Sequence, residues 1–311
     1  MKMGEKNAEK PMSWKQLIGP VQPVEAARGL PDWYAQLVAG AGSADPFVLA
    51  VYGGRLACTP GLAFLAGYQA ALRALWPAAP AGLGAFCATE NRKLRPADMA
   101  TRWDGRQLNG GKDFVSAGQA AQWLLVCARE EAPEEPPRLG LFAVEAAQAG
   151  VRLEAGPRLP LVPDVPHARL RLEQAVGDRL PGDGWSGYVK PFRTLEDLYV
   201  LAALTAWLYG LALRHQWPRS LSLRLLGVLA GAAEMARQPA HEAASHLLLA
   251  ALAEQFATLE ADLESALLAT PGPNSELWRR DRAVLGLARE ARARRLEQAL
   301  LALGIAPAAS A

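Results

Sequence analysis

The sequence predicts an α+β fold with a short N-terminal helical region, a β-barrel-like middle domain and a C-terminal four-helix bundle. Two observations lead to this prediction. Short apolar runs separated by turn residues fill the middle of the chain, which is typical of strands in a small barrel or sandwich. The segments before and after this zone are rich in helix-forming residues. The expected bounds are 12–80, 81–185 and 186–305, following a disordered tail over 1–11.

The composition is that of an ordinary globular protein. The 311 residues are 51% hydrophobic and 21% charged, which excludes a disordered or collagen-like chain. With 33 Lys and Arg against 31 Asp and Glu, the chain has no one-signed block to contact phosphates, so we expect no dedicated nucleic-acid binding. The three cysteines lie far apart and form neither a disulfide framework nor a CxxC metal site, which favours a reducing, cytoplasmic location.

Two helical segments stand out for their apolar residues. In the N-terminal region, Pro60 can start a helix whose apolar stripe continues to Leu72, before prolines at 77 and 80 break the pattern. The most apolar segment of the chain, 198–213, is shorter than the roughly 18–20 residues that a membrane span needs. We therefore expect a helix buried inside protein rather than a transmembrane segment.

The middle zone contains seven candidate strands separated by turns. They are Leu83 to Thr89, Trp103 to Leu108, Lys112 to Ser116, Trp123 to Ala128, Leu139 to Val144, Val151 to Ala155 and Ala168 to Leu172. Asp104-Gly105 and Asn109-Gly110 are strong turn signals. The second of these predicts a two-stranded hairpin closed by Asn-Gly, with Phe114 and Ser116 at the end of its second strand.

The C-terminal zone predicts four long helices at about 190–215, 219–237, 241–269 and 275–303. Stretches such as 225–233 and 247–253 are apolar well beyond one helix stripe. Such helices bury a second face, so we expect a homodimer or a homotetramer.

Two other polar patterns in this zone are weaker signals. His241 and His246 are five residues apart and would point to different faces of a helix, so we expect no metal site. The arginine-rich stretch 279–295 fits a solvated helix face with i,i+4 ion pairs, and contact with an anion is the alternative.

A hydroxyl near N5 and a flat apolar ring are what an isoalloxazine needs, and the hairpin carries both. Such hairpins are common, so their spacing alone does not indicate a flavin. The stretch from Thr89-Glu90 through Asp104–Gly118 resembles the middle domain of the acyl-CoA dehydrogenase family of flavoproteins. His167–Glu173 resembles the strand that closes that domain, and Leu180–Gly184 resembles the turn into its helical bundle. The order of helices, strands and bundle is also that of the family.

The resemblance implies an FAD-dependent oxidoreductase that performs α,β-dehydrogenation of an acyl thioester, with hydride transfer to FAD. Thr89 matches the residue that hydrogen-bonds the flavin ring, Phe114 replaces the stacking Trp, and Ser116 matches the hydroxyl beside N5. Arg214 matches an arginine that reaches the cofactor pyrophosphate across a subunit interface. From the residues alone, Thr89 and Ser116 can equally be strand-end caps, Phe114 a core residue and Arg214 a cation at a helix C-terminus.

The sequence departs from the family at three places. A Gly-Ser-Asp loop is replaced by 91–98, and the shortened N-terminal region, one wall of the acyl pocket in the family, predicts a reshaped pocket. At the usual position of the catalytic base stands Arg289, beside Glu290. Glu196 is the candidate base if one residue is inserted. Without the insertion it falls where the family has a substrate-holding Arg, and it can also be a first-turn Glu that the helix dipole stabilises.

These departures leave two functional hypotheses open. The first is the thioester dehydrogenase, with Thr89, Phe114, Ser116 and Arg214 on FAD and Glu196 as the base. The second is a catalytically degenerate relative that keeps the fold and acts as a binding or structural protein.

Overall fold

The computed structural model describes residues 13–90, 98–130 and 138–305. The expected tail over 1–11 and nearly all of the replaced loop, 91–97, lie outside the described residues. The helices are α1 Trp14–Ile18, α2 Leu30–Ala41, α3 Pro46–Leu56, α4 Pro60–Leu75, α5 Lys190–Arg214, α6 Arg219–Met235, α7 Ala243–Ala257, α8 Glu260–Ala269, α9 Pro273–Asp281 and α10 Arg289–Ala302. The strands are β1 Gly84–Cys87, β2 Arg102–Trp103, β3 Leu108–Ser116, β4 Trp123–Glu130, β5 Arg138–Glu145, β6 Val151–Ala155, β7 His167–Ala175 and β8 Asp178–Arg179.

The N-terminal helices pack directly onto α5. Helix α4 begins at Pro60 because the Thr59 hydroxyl accepts a hydrogen bond from the backbone N–H of Leu62 at 3.1 Å. Two glycines allow the helix backbones to touch: a Cβ at Gly54 would lie 2.1 Å from the carbonyl oxygen of Ala203, and Gly67 faces the backbone of α5 in the same way. This close contact fixes α4 against the first half of α5.

The strands form one curled mixed sheet in the order β6-β7-β3-β2-β4-β5-β8. Strand β4 pairs antiparallel with β5 along its whole length, and β1 and β2 run parallel to successive parts of β4. Strand β3 pairs antiparallel with β7, so that Ser116 lies opposite His167. Because β2 runs parallel to β4 and antiparallel to β3, β3 runs antiparallel to β1. The chain just after β1 therefore lies alongside the second half of β3.

One predicted hairpin turn is placed wrongly. The turn lies at Asp104-Gly105, where the Asp104 carboxylate accepts hydrogen bonds from the backbone N–H groups of Arg106 and Gln107. Asn109-Gly110 instead lies within β3, at an irregularity in the pairing with β7. Gly110 has φ of 135°, and a Cβ there would lie 2.7 Å from Thr101 Cα. Glycine is therefore needed here for the β-bulge and for the close approach of the Thr101 backbone.

Two of the four predicted bundle helices are broken in the structure. The segment 241–269 is split between α7 and α8, where the Thr258 carbonyl accepts a hydrogen bond from Arg224 of α6 at 2.8 Å. The segment 275–303 is split between α9 and α10, where the Leu285 carbonyl accepts one from Arg292 at 2.7 Å. In both places an arginine side chain donates a hydrogen bond to a carbonyl oxygen that, in a continuous helix, would accept one from a backbone N–H. The apolar periodicity of the sequence does not predict these side-chain hydrogen bonds or the helix breaks at which they lie.

The apolar segment predicted over 198–213 lies within a longer described helical segment, 185–214, and is buried as expected. By length and composition alone this described segment could cross a membrane, but 83% of its most apolar window is buried inside the protein. On α6 and α7 the buried residues form one stripe, while Leu223 and Leu248 are 55% and 46% exposed. The homodimer or homotetramer remains a prediction that this exposed face motivates.

Candidate active site

Three of the predicted site residues lie near one another, where the chain after β1 runs alongside the second half of β3. The Thr89 carbonyl accepts a hydrogen bond from the backbone N–H of Asp113 at 3.0 Å, which places Thr89 beside Phe114. Ser116 follows two residues later and is paired with His167, whose ring centroid is 6.3 Å from that of Phe114. Thr89, Phe114 and Ser116 are all half-buried. This part of β3 and the chain beside it thus offer two hydroxyls and one aromatic ring, all half-buried.

His167 is a neutral neighbour of these residues. Burial lowers the pKa of His167 below its ordinary value, and a hydrogen bond with the Val165 backbone only partly offsets this effect. The imidazole is therefore uncharged at neutral pH. The sequence resemblance placed this residue in the closing strand of the sheet without assigning it a position beside Phe114.

A buried ion pair lies directly behind these strand ends. The Nζ of Lys112 is 2.5 Å from a carboxylate oxygen of Glu90, and the Lys112 side chain is fully buried. Glu90 also accepts hydrogen bonds from the Thr101 hydroxyl at 2.7 Å and from the backbone N–H of Ala100. The pair joins the residue after Thr89 to the middle of β3, so it fixes Thr89 relative to Phe114.

Tyr68 of α4 also lies next to these residues, and the sequence analysis did not identify it. Its hydroxyl accepts a hydrogen bond from the backbone N–H of Phe86 at 2.8 Å and lies within hydrogen-bonding reach of Ser116. Burial raises the pKa of Tyr68 above its ordinary value, and the nearby Glu196 carboxylate raises it further. Tyr68 lies among the apolar residues of α4, and the sequence analysis assigned it no role. The only available signal was a hydroxyl within an otherwise apolar stripe.

Glu196 faces this group from the first turns of α5. Burial raises the pKa of Glu196 to about 7, the adjacent Asp197 carboxylate adds to the rise, and Arg193 and Arg295 partly oppose it. The Glu196 side chain is half-buried, so solvent is only partly excluded from its carboxylate. A carboxylate with this pKa is well matched to proton transfer near neutral pH.

The arginine-rich stretch contributes charges next to Glu196. Arg295 hydrogen-bonds the Asp197 carboxylate, and Arg292 lies 3.6 Å from it. Arg294 forms the exposed i,i+4 ion pair with Glu290 that the sequence predicted. One face of α10 is thus exposed to solvent, and another face binds the carboxylate of Asp197, the residue next to Glu196. Arg289 itself is exposed at the start of the helix.

The structure does not bring Arg214 to the other four predicted residues. Arg214 ends α5, and 18 residues of continuous helix separate it from Glu196, which is about 27 Å at 1.5 Å per residue. The side chain is exposed. It lies beside Gly210, together with the buried Arg55. Within one chain, Arg214 therefore lies about 27 Å along α5 from Glu196, at the opposite end of the helix.

Within residues 13–90, 98–130 and 138–305, no group of three or more His, Cys, Asp or Glu side chains is arranged to hold a metal ion.

No protein-family model and no curated protein matches the sequence. Solved structures do match over most of the chain. FkbI, for biosynthesis of the methoxymalonyl extender unit of the polyketide Fk520, is 20% identical, with 83% of this chain and 84% of that chain covered and a TM-score of 0.62. Butyryl-CoA dehydrogenase from Megasphaera elsdenii is 14% identical, with 83% and 82% covered and a TM-score of 0.61.

A third structure, the prolyl acyl carrier protein oxidase AnaB, is 17% identical, with 83% and 78% covered and a TM-score of 0.51. Identities this low establish similarity of fold alone. The agreement covers helices, sheet and bundle in one chain, as the sequence resemblance implied. The protein has the fold of the acyl-CoA dehydrogenases.

Proposed function

We propose that the protein is an FAD-dependent oxidoreductase that dehydrogenates an acyl thioester, with Glu196 as the catalytic base. One observation supports this most: Ser116 lies within hydrogen-bonding reach of the Tyr68 hydroxyl, and the Glu196 carboxylate on α5 is near enough to Tyr68 to raise its pKa. A residue suited to a flavin edge and a carboxylate with a pKa of about 7 thus both lie near Tyr68. The neighbours in fold include a structure described as the FAD complex of PigA.

The residues at the strand ends fit the ring end of FAD. Phe114 offers a flat apolar face, and Thr89 and Ser116 offer hydroxyl donors for the polar edge of an isoalloxazine. FAD, when bound, supplies the acceptor for the hydride that leaves the β-carbon. The pyrophosphate end requires a cation that these residues lack. Arg214 of a second copy is the candidate for that contact, which is the role implied by the family resemblance.

In the proposed reaction, the protein's own groups hold and move one proton. The ionised Glu196 carboxylate takes the α-proton of the thioester as the β-hydride leaves. The charges of Arg193 and Arg295 favour the ionised form, while burial and Asp197 disfavour it, so the base is partly ionised at neutral pH. Tyr68 and the rings around it exclude water from the α4 side of this space.

We expect purified protein to show flavin absorbance in the visible range, or to gain it on incubation with FAD and retain it through gel filtration. Adding butyryl-pantetheine should then bleach this absorbance under anaerobic conditions. Riboflavin without the pyrophosphate is the control ligand and should be retained far less. Protein that remains colourless after incubation with FAD would contradict the proposal.

A specific observation favours the alternative of a catalytically degenerate binding or structural protein. The position that the resemblance gives to the usual base carries Arg289, which is exposed on α10. Under this alternative the protein keeps the fold but binds no FAD. The flavin absorbance experiment therefore decides between the two functions.

Replacing Arg214 by methionine should weaken FAD retention by about tenfold to a hundredfold, because a charge-assisted hydrogen bond to phosphate contributes about 1.5–3 kcal/mol. The free energy of unfolding should change little, since the side chain is exposed. The measurement is FAD affinity by fluorescence quenching, with Arg224→Met, at another exposed arginine, as the control. If the contact is made across a dimer, retention by wild type will also fall on dilution below the dimer dissociation constant. Equal affinities for the Arg214→Met variant and wild type would exclude this role.

A further inference from the structure

Aromatic rings from three elements meet beside Glu196 and Ser116. Phe86 of β1 stacks on Phe192 of α5, with ring centroids 4.3 Å apart and planes inclined by 17°. Tyr68 of α4 meets Phe192 edge-on at a centroid distance of 5.7 Å. Tyr68 and Phe192 are 2% and 5% exposed. We call these three residues the aromatic cluster.

The aromatic cluster occupies the α4 side of the proposed reaction space. Phe192 precedes Glu196 by four residues, so the two side chains lie on the same face of α5. The Tyr68 hydroxyl is held by the Phe86 backbone N–H at 2.8 Å and lies within reach of Ser116. The rings therefore stand next to both the proposed base and the proposed flavin contact.

The cluster is held in place by contacts of different kinds. Stacked and edge-on ring contacts fix Phe86 and Phe192, and a hydrogen bond to the backbone fixes the Tyr68 ring. Gly67, next to Tyr68, lies against the α5 backbone, so α4 and α5 are packed as closely as their backbones allow. A ligand that needs this volume has to displace a buried ring and break the hydrogen bond.

We propose that the aromatic cluster limits the substrate to a short-chain acyl thioester, such as a butyryl thioester, and that Tyr68 sets this limit. The inference rests on the proposed function and deepens it. A short acyl group places its α- and β-carbons between Glu196 and the flavin without reaching the rings. A longer chain that extends towards α4 meets Tyr68 and Phe192. In an open apolar pocket, by contrast, each further methylene improves binding roughly fourfold.

The experiment compares butyryl-pantetheine with octanoyl-pantetheine, because these probes carry the thioester without a nucleotide or a carrier protein. FAD-loaded protein is titrated with each probe, and binding is followed by the perturbation of the flavin spectrum under anaerobic conditions. The variants are Tyr68→Leu and, in case this variant fails to fold, Phe86→Ala at a half-buried position. Phe256→Ala, a buried ring on α7 outside the aromatic cluster, is the matched control.

For wild type and for Phe256→Ala, we expect butyryl-pantetheine to bind at least as tightly as octanoyl-pantetheine. Tyr68→Leu and Phe86→Ala should shift the ratio of the two affinities at least tenfold towards octanoyl. Tighter binding of octanoyl-pantetheine by wild type would overturn the inference, and so would an unchanged ratio in both cluster variants. Retained FAD with no binding of either thioester would also overturn it. Failure to bind FAD would instead refute the proposed function, on which the inference rests.

Discussion

Replacing Lys112 by methionine is expected to lower the free energy of unfolding by about 3–5 kcal/mol, because it leaves the Glu90 carboxylate buried without its counter-charge. Burial raises the pKa of Glu90, but the charge of Lys112 and hydrogen bonds from Lys112, Thr101 and Ala100 outweigh burial, so its pKa lies below the ordinary value. The ionised carboxylate is therefore stabilised in the folded state, and the loss of Lys112 removes the largest contribution to that stabilisation.

The pH dependence of wild-type stability follows from the same pair. A carboxylate with a lowered folded pKa stabilises the protein above its unfolded pKa, near 4.3, and this contribution is lost as the pH falls through the folded pKa. In Lys112→Met the sign is reversed, since the buried carboxylate now prefers its proton. The variant should therefore be relatively more stable at pH 5 than at pH 8.

Chemical denaturation at pH 5 and pH 8 measures both effects. Arg152→Met is the control, because the Arg152–Glu173 ion pair is 60% and 67% exposed and its loss should cost at most about 1 kcal/mol. The double variant Glu90→Gln, Lys112→Met should recover part of the lost stability. Since the pair fixes Thr89 relative to Phe114, Lys112→Met should also weaken FAD retention. Equal destabilisation by Lys112→Met and Arg152→Met would contradict this account.

The strand-end part of the site could be predicted from the sequence because it depends on local order. Thr89 closely follows β1, and Phe114 and Ser116 lie in the second half of β3. A hydrogen bond between the Thr89 carbonyl and the Asp113 N–H brings the two segments side by side. The same local reasoning failed at Asn109-Gly110, where an equally strong turn signal lies in a bulge. The difference is tertiary: Thr101 lies so close to Gly110 that glycine is needed inside the strand.

The residues that close the site could not be predicted, because they depend on contacts between distant elements. Tyr68 and Glu196 are 128 positions apart and meet only because α4 packs against α5. In the sequence, Tyr68 reads as one more core residue of a helix stripe. Arg292 and Arg295 read as part of a solvated face, yet they hold Asp197 on α5. The periodicity of a sequence predicts which face of a helix is apolar, but it does not predict which element of the fold packs against that helix.

Replacing Glu196 by glutamine should reduce the rate of flavin bleaching by butyryl-pantetheine by about 10²–10⁴-fold, the usual contribution of a positioned general base. FAD retention should not change, because Glu196 lies on α5, whereas the proposed contacts to the flavin ring lie at the strand ends. In wild type the rate should rise with pH through about 7, since the carboxylate must be ionised to act as a base. The measurement is a pH series of anaerobic stopped-flow traces.

Glu290→Gln is the matched control for this variant. Its carboxylate is 89% exposed on α10, next to Arg289 at the family's usual base position. It should leave the rate and its pH dependence unchanged. A loss of rate in Glu290→Gln with normal activity in Glu196→Gln would assign the base to α10 instead.

Protein stability tests the environment of Glu196 independently of catalysis. The folded pKa of about 7 lies above the unfolded value near 4.3, so the unfolded chain releases this proton first as the pH rises. Wild type therefore loses stability between about pH 4.3 and pH 7 that the uncharged Gln side chain does not lose. At pH 8, Glu196→Gln should be more stable than wild type by on the order of 1–2 kcal/mol, because partial exposure reduces the full effect. At pH 4 the two should unfold alike. If Glu196→Gln is less stable at pH 8, the attraction of Arg193 and Arg295 exceeds the effect of burial, and Glu196 is an ion-pair residue rather than a base poised for proton transfer.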